Sequence, residues 1–205
     1  MILETVLVGP MGVNCYVLAS KEGSRAIIID PGDEGRKIRQ VLDRHNLEPG
    51  FIINTHGHYD HIGADNKFDV AVYVHKLDAP LLKEPMLNLS GLFSLPYVVK
   101  SKIKFLEDGE IITLDDIRLR VIHTPGHTPG GITLLLEKPV DKIAFTGDTL
   151  FCSGMGRFDL AGGNEKLLIK SIRERLFTLP LETRIYPGHG PASTIGEEKK
   201  NPAPL

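Results

Sequence analysis

Within the run Thr55-His56-Gly57-His58-Tyr59-Asp60-His61, four side chains able to bind a cation fall inside six residues. Imidazole nitrogen and carboxylate oxygen are donors that zinc, iron and manganese all accept, and such ions activate water. In an extended stretch residues two apart point the same way, so His56 and His58 converge on one ion while Asp60 and His61 reach toward a second. Gly57 leaves room for a close backbone approach. Any one of these histidines alone reads as a surface or core residue with a satisfied hydrogen bond; four ligand types in one run do not. Three later segments have the same character: Thr124-Pro125-Gly126-His127-Thr128-Pro129-Gly130, Thr146-Gly147-Asp148-Thr149 and Tyr186-Pro187-Gly188-His189-Gly190. Each puts a donor in a turn-forming stretch after an apolar strand, and singly each reads equally well as a turn and nothing more. With the first cluster they complete a two-ion donor set of five histidines, His56, His58, His61, His127 and His189, and two aspartates, Asp60 and Asp148.

The elements that must position these groups can be read from periodicity. Ile2 to Val8, Cys15 to Ala19 and Ala26 to Ile29 read as short strands separated by tight turns, hence antiparallel neighbours. The continuously apolar Ala26 to Ile29 suits a strand covered on both faces. Asp33 is placed to cap a helix that buries Ile38, Val41 and Leu42, with Arg36, Lys37, Arg39 and Arg44 elsewhere around it. Phe51 to Ile53 returns as a buried strand directly before the His-Asp run, and Ala71 to Val74 makes another. Leu81 to Lys100, interrupted by Pro85, Gly91 and Pro96, reads as an irregular excursion of the kind that frames a pocket. Strands follow at Ile111 to Leu114, Ile117 to Ile122, Ile132 to Leu136 and Ile143 to Phe145. A helix is expected from about Asn164, a good N-cap, to Leu176, with Leu168, Ile169, Ile172 and Leu176 as its buried stripe. Strands precede helices in both halves, and an apolar strand ends near an aspartate in each (Asp30, Asp148), which suggests two similar sheets packed together with helices outside. The expectation is an α/β four-layer αββα sandwich of two mixed sheets, residues 1–205 forming one domain.

The His-Gly-His-Tyr-Asp-His run, the later histidine and aspartate and the final Pro-Gly-His-Gly together resemble the metallo-β-lactamase superfamily. Gly147-Asp148-Thr149-Leu150-Phe151 and Gly156-Arg157-Phe158-Asp159 resemble its small glyoxalase II-like branch, and the likeness runs from Ile29-Asp30-Pro31-Gly32 to the tail. The resemblance implies an αββα fold, one ion on His56, His58 and His127, the other on Asp60, His61 and His189, and Asp148 bridging them. Zinc is the expected metal, with iron or manganese as alternatives. The implied activity is hydrolysis of hydroxyacyl-glutathione-type thioesters by a metal-bridging hydroxide, with Asp60 accepting a hydrogen bond from it and Asp148 shared between the ions. A thioester suits the residues, because a thiolate leaves without much protonation and no histidine general acid stands outside the donor set. Glyoxalase II itself resembles a longer chain whose added helical domain helps hold glutathione; only a short tail follows His189, so the thiol half has no assigned residues. Two rivals come from other classes. Persulfide dioxygenases resemble the same fold with a single iron, here on His56, His127 and Asp148, and a non-catalytic module would keep its metals fully enclosed by protein. Lactones and other activated esters are further substrates for the hydrolytic reading.

The 205 residues, 41% hydrophobic and 24% charged with a formal net charge of −2, are an ordinary globular composition without a long basic run, which argues against nucleic acid as a partner. A small-molecule substrate is expected instead. Glu4 stands where a secretory leader would be basic and no apolar run reaches membrane-spanning length, so the expectation is a cytoplasmic protein with no membrane partner. Cys15 and Cys152 are too few for a disulfide framework and are expected to be reduced core residues. His45, His75 and His123 are expected to pack or hydrogen-bond rather than bind metal, Asp30 to orient a ligand histidine, and Arg157 and Tyr97 are candidates for substrate contact.

Overall fold

The computed structural model describes residues 1–140 and 142–200. Strands β1 (Ile2–Val8), β2 (Val13–Ala19), β3 (Arg25–Ile29), β4 (Glu48–Ile53), β5 (Val72–His75) and β6 (Ile103–Leu106) form one six-stranded sheet in that order. The first three are antiparallel neighbours, as the tight turns require, and β3 to β6 run parallel. A second six-stranded sheet follows from β7 (Ile111–Leu114), β8 (Ile117–His123), β9 (Ile132–Lys138), β10 (Ile143–Gly147), β13 (Arg184–Pro187) and β14 (Ser193–Thr194), in the order β14-β13-β10-β9-β8-β7. Between β10 and β13 lies a small hairpin of β11 (Leu150–Phe151) and β12 (Gly154–Met155).

Side-chain alternation builds the layers. Along β2 and β3, Tyr16, Leu18, Ile27 and Ile29 face the second sheet, where they meet Leu119, Val121, Leu134 and Phe145. Val17, Ala19, Ala26 and Ile28, pointing the opposite way, pack under Ile38, Val41 and Leu42 of helix α1 (Gly35–Arg44). Helix α3 (Glu165–Ser171), continued by a π-helical turn over Ile172–Leu176, covers the outer face of the second sheet with Leu168, Ile172 and Leu176 against Ile185. The result is the expected αββα sandwich, in which Cys15–Ala19 of β2 and Ala26–Ile29 of β3 are apolar throughout because helix and sheet cover their two faces.

Several local expectations change. The segment after β4 is not extended throughout: Tyr59–Ile62 forms a single helical turn, α2, with extended His58 at its N-cap. Consecutive residues on a helix diverge by about 100°, so Asp60 and His61 are splayed apart by a turn, not by strand alternation. Glu34, not Asp33, stands at the N-cap of α1, in a left-handed conformation; Asp33 Oδ1 accepts from the Glu34 N–H instead. Strand β6 was not expected from sequence, because of its four residues only Leu106 is fully buried and its pairing partner, β5, is distant in the chain. Cys15 is buried as expected, but Cys152 is exposed, since it occupies the turn between β11 and β12. No helix among the described residues is long and apolar enough to cross a membrane.

Candidate metal centre

Donor-bearing loops leave the ends of β4, β8, β10 and β13, and the structure brings all seven expected side chains together. Three groups, each with one donor atom per residue within 4.8 Å of the others, can be drawn: His56, His58 and His127; Asp60, His61 and His189; and His56, His61 and Asp148. His58 Nδ1 and His127 Nε2 are 2.9 Å apart. His189 Nε2 lies 3.3 Å from Asp60 Oδ2, and His61 Nε2 lies 3.7 Å from the same oxygen. Asp148 stands between the groups: its Oδ1 is 3.4 Å from His61 Nε2, and its Oδ2 is 3.6 Å from both His127 Nε2 and His189 Nε2. One carboxylate thereby reaches both groups.

The remaining polar atoms of the rings show how they are aimed. His127 Nδ1 donates to the Arg157 carbonyl at 2.7 Å, and His189 Nδ1 to the Met11 carbonyl at 3.1 Å, which in each case turns Nε2 inward as the acceptor a metal needs. His61 Nδ1 lies 3.0 Å from Asp30 Oδ2. Asp30 also accepts from Thr55 N–H and Thr55 Oγ1, so the outer carboxylate orienting a donor histidine is where the sequence suggested. What faces inward is left over: His56 Nε2, His61 Nε2 and Asp148 Oδ1 are buried without a hydrogen-bond partner. Orphaned buried donors and acceptors are costly, and a cation satisfies several of these atoms together. Charge argues the same way. Burial disfavours a charged His61, yet Asp148, Asp60 and Asp30 outweigh it and push the imidazole up to about 10. Burial and neighbouring rings hold His56 well below its ordinary range and His58 down to about 3. One side of the cluster is thus a set of neutral nitrogens, the other a carboxylate field that favours positive charge. Zinc, iron or manganese fits this mixed nitrogen and oxygen set.

Two close approaches depend on glycine. A Cβ at Gly188 would lie 2.2 Å from Asp148 Oδ1 and 2.7 Å from His61 Cε1, and one at Gly32 would lie 1.5 Å from the Asp60 carbonyl oxygen. Any side chain at either position would displace a donor.

Sequence reasoning passed over Asp78. It is fully buried, and its carboxylate accepts from Gly57 N–H at 3.0 Å, Thr128 Oγ1 at 2.7 Å and Gly130 N–H at 2.6 Å. One side chain thereby ties the His56–His58 loop to the His127 loop. Burial raises its pKa and these three donors oppose the rise. Only a strand-end aspartate three residues after His75 marked it, too common a pattern to single out. Of the histidines expected to pack or hydrogen-bond, His45 Nε2 meets Glu4 at 2.8 Å, and His75 and His123 stack with ring centroids 4.1 Å apart. Tyr97 does not line the site: its hydroxyl accepts from the Asn66 N–H, and its ring packs against Tyr59. Arg157 does line it, beside His58, Asp60, His127, Asp148 and His189, in a pocket of about 420 Å³.

A two-sheet αββα sandwich with a His/Asp cluster at the strand ends defines a class of α/β proteins able to bind metal. The chain belongs to the metallo-beta-lactamase superfamily, whose family model matches residues 8–189. It is 39% identical to the probable metallo-hydrolase YqgX of Bacillus subtilis, over 95% of this chain and 93% of that one. It is 35% identical to the hydroxyacylglutathione hydrolase GloC of Haemophilus influenzae, over 97% and 95%. Among solved structures, BLEG-1 B3 metallo-beta-lactamase superposes with a TM-score of 0.90 at 36% identity, covering 98% of each chain. The di-iron-bound form of TTHA1623 superposes at 0.82 and 36%, covering 97% of this chain and 98% of that one.

Proposed function

We propose that the chain hydrolyses thioesters at a two-metal centre held by His56, His58 and His127 on one side and Asp60, His61 and His189 on the other, with Asp148 shared. The observation that carries this reading is the opening of the donor set onto the 420 Å³ pocket: His58, Asp60, His127, Asp148 and His189 form its floor, whereas a purely structural site would be closed by protein. When bound, two divalent ions supply Lewis-acid polarisation of a carbonyl and a water whose pKa falls from about 15.7 toward about 7. The chain's residues hold that arrangement. Asp30, Arg157 O and Met11 O orient three of the imidazoles, Asp148 sets the spacing of the two groups, and Asp60 is a hydrogen-bond acceptor at the pocket floor. No histidine outside the donor set lines the pocket among the described residues, which favours a leaving group that needs no proton. A thiolate is such a group; the amine released from a β-lactam is not. Similarity to GloC makes hydroxyacyl-glutathione the first thioester to assay, and similarity to BLEG-1 makes a β-lactam the control.

The test pairs elemental analysis of protein purified without added metal with that assay. Two ions per chain and thioester turnover, both lost in Asp148→Ala, are expected. A single iron per chain with oxygen consumption on a persulfide would replace this reading with the mononuclear one on His56, His127 and Asp148.

A further inference from the structure

We infer that the arm of the substrate lying outside the metal centre is apolar and uncharged, gripped by a wall made of Met11, Leu89, Phe93, Phe151, Met155 and Leu160. The inference rests on the hydrolytic reading above and narrows its substrate. The wall and the donor floor share one pocket. Its parts come from separate places in the chain: the β1–β2 turn, the irregular excursion, the β11–β12 hairpin and, with Leu160, the segment between that hairpin and α3. An adjoining cleft shares Met11, Tyr59 and Asp60 with this pocket and adds Val8, Pro10, Val13 and Leu95 beside Asp33.

Isolated exposed apolar residues are ordinary on protein surfaces, but this grouping is not scattered. Phe93 is 58% exposed, Met11 48%, and Leu92 and Leu95 beside Phe93 are 60% and 57%. The base of their excursion is tied down. Buried Asn88 donates to the Leu81 and Tyr97 carbonyls and accepts from Ser90 N–H, and its own carbonyl accepts from Tyr59 N–H at the start of α2. The base of the apolar tip is therefore bonded, through Asn88, to the helical turn that displays Asp60 and His61.

Charge on the wall points the same way. Arg157 is the one Arg or Lys lining the pocket among the described residues, and its guanidinium is forked onto Asp159 at 2.8 and 2.9 Å. A tripeptide thiol such as glutathione brings two carboxylates and an ammonium, and its carboxylates would meet apolar side chains and a cation already paired. An alkyl or aryl arm meets matching surface, and each methylene buried there is worth about a fourfold gain in binding.

The test uses the metal-loaded full chain with two series of thioesters, one lengthening the thiol arm from ethyl to hexyl and one lengthening the acyl arm, beside the glutathione thioester of the shortest acyl group. In at least one series kcat/KM rises by about fourfold per methylene, and the glutathione thioester falls below the hexyl one. Phe93→Ser and Leu160→Ser each flatten that slope with metal content unchanged. Flat slopes in both series, or a glutathione thioester that exceeds every alkyl one, would overturn the inference while leaving thioester hydrolysis intact. If two ions are bound and no thioester turns over, the hydrolytic reading fails on its own account. The wall is then judged by calorimetric binding of the thioether analogue with a hexyl arm, which Phe93→Ser must weaken about tenfold if the inference is to stand.

Discussion

Asp78 shows how one side chain decides whether two remote loops meet. Three donors converge on its buried carboxylate, two of them from the His127 loop and one from Gly57 between His56 and His58. Asn at this position keeps the shape but presents an NH2 group to at least one donor, leaving buried partners unsatisfied at about 1–3 kcal/mol each. Asp78→Asn is therefore expected to weaken ion binding at His56, His58 and His127 by about 10- to 100-fold, as lost outer-shell contacts commonly do, while the Asp60, His61 and His189 group keeps its affinity. Metal titration with separate readout of the two steps checks this; equal weakening of both steps would make Asp78 a general stabiliser instead. Asp30 acts by the same logic on the other side, through His61.

At the scale of elements, the N-terminus of α3 is a support for the donor loop as well as a helix end. Asn164 Oδ1 caps the helix by accepting from Leu167 N–H at 3.0 Å, and the Asn164 N–H donates to the Gly126 carbonyl, next to His127. Gly126 itself, at φ +137°, packs so close to Leu168 that a Cβ would come within 2.2 Å of its backbone nitrogen. Asn164→Ala removes the cap but not the backbone bond. The expected result is a loss of about 1 kcal/mol in unfolding free energy with the metal content retained, measurable by denaturant titration of the loaded protein. A loss of metal in this variant would mean that the cap, rather than the backbone bond, holds the loop.

At the scale of the whole molecule, the donor set links the two sheets. His56, His58, Asp60 and His61 follow β4 of the first sheet, while His127, Asp148 and His189 follow β8, β10 and β13 of the second. Ions bound there would act as a clasp, since the inward atoms of His56, His61 and Asp148 have no hydrogen-bond partner in the protein. Binding at 100 times Kd stabilises by about 2.7 kcal/mol, which for a chain of this size corresponds to a shift of about 5–10 °C in Tm. Chelation should lower Tm by that much and re-addition of zinc or iron should restore it; an unchanged Tm would mean that the sheets hold together independently of the centre.

The candidate donor cluster was legible from residue types alone, because His56, His58, Asp60 and His61 stand in one short run and few reasons other than metal binding group them so. Local periodicity likewise marked β2, β3, α1 and, apart from the half-buried Ile169, the stripe of α3, since those elements bury whole faces and burial leaves a repeat in the chain. What only the tertiary structure decided was every relation between segments far apart in sequence. Strand β6 exists through its pairing with β5, Asp78 matters through loops about twenty and fifty residues away, and the excursion through 86–95 matters through the pocket its tip overhangs. Contacts of that kind arise from packing, which local composition does not encode, so residue types named the chemistry while the fold determined which groups touch.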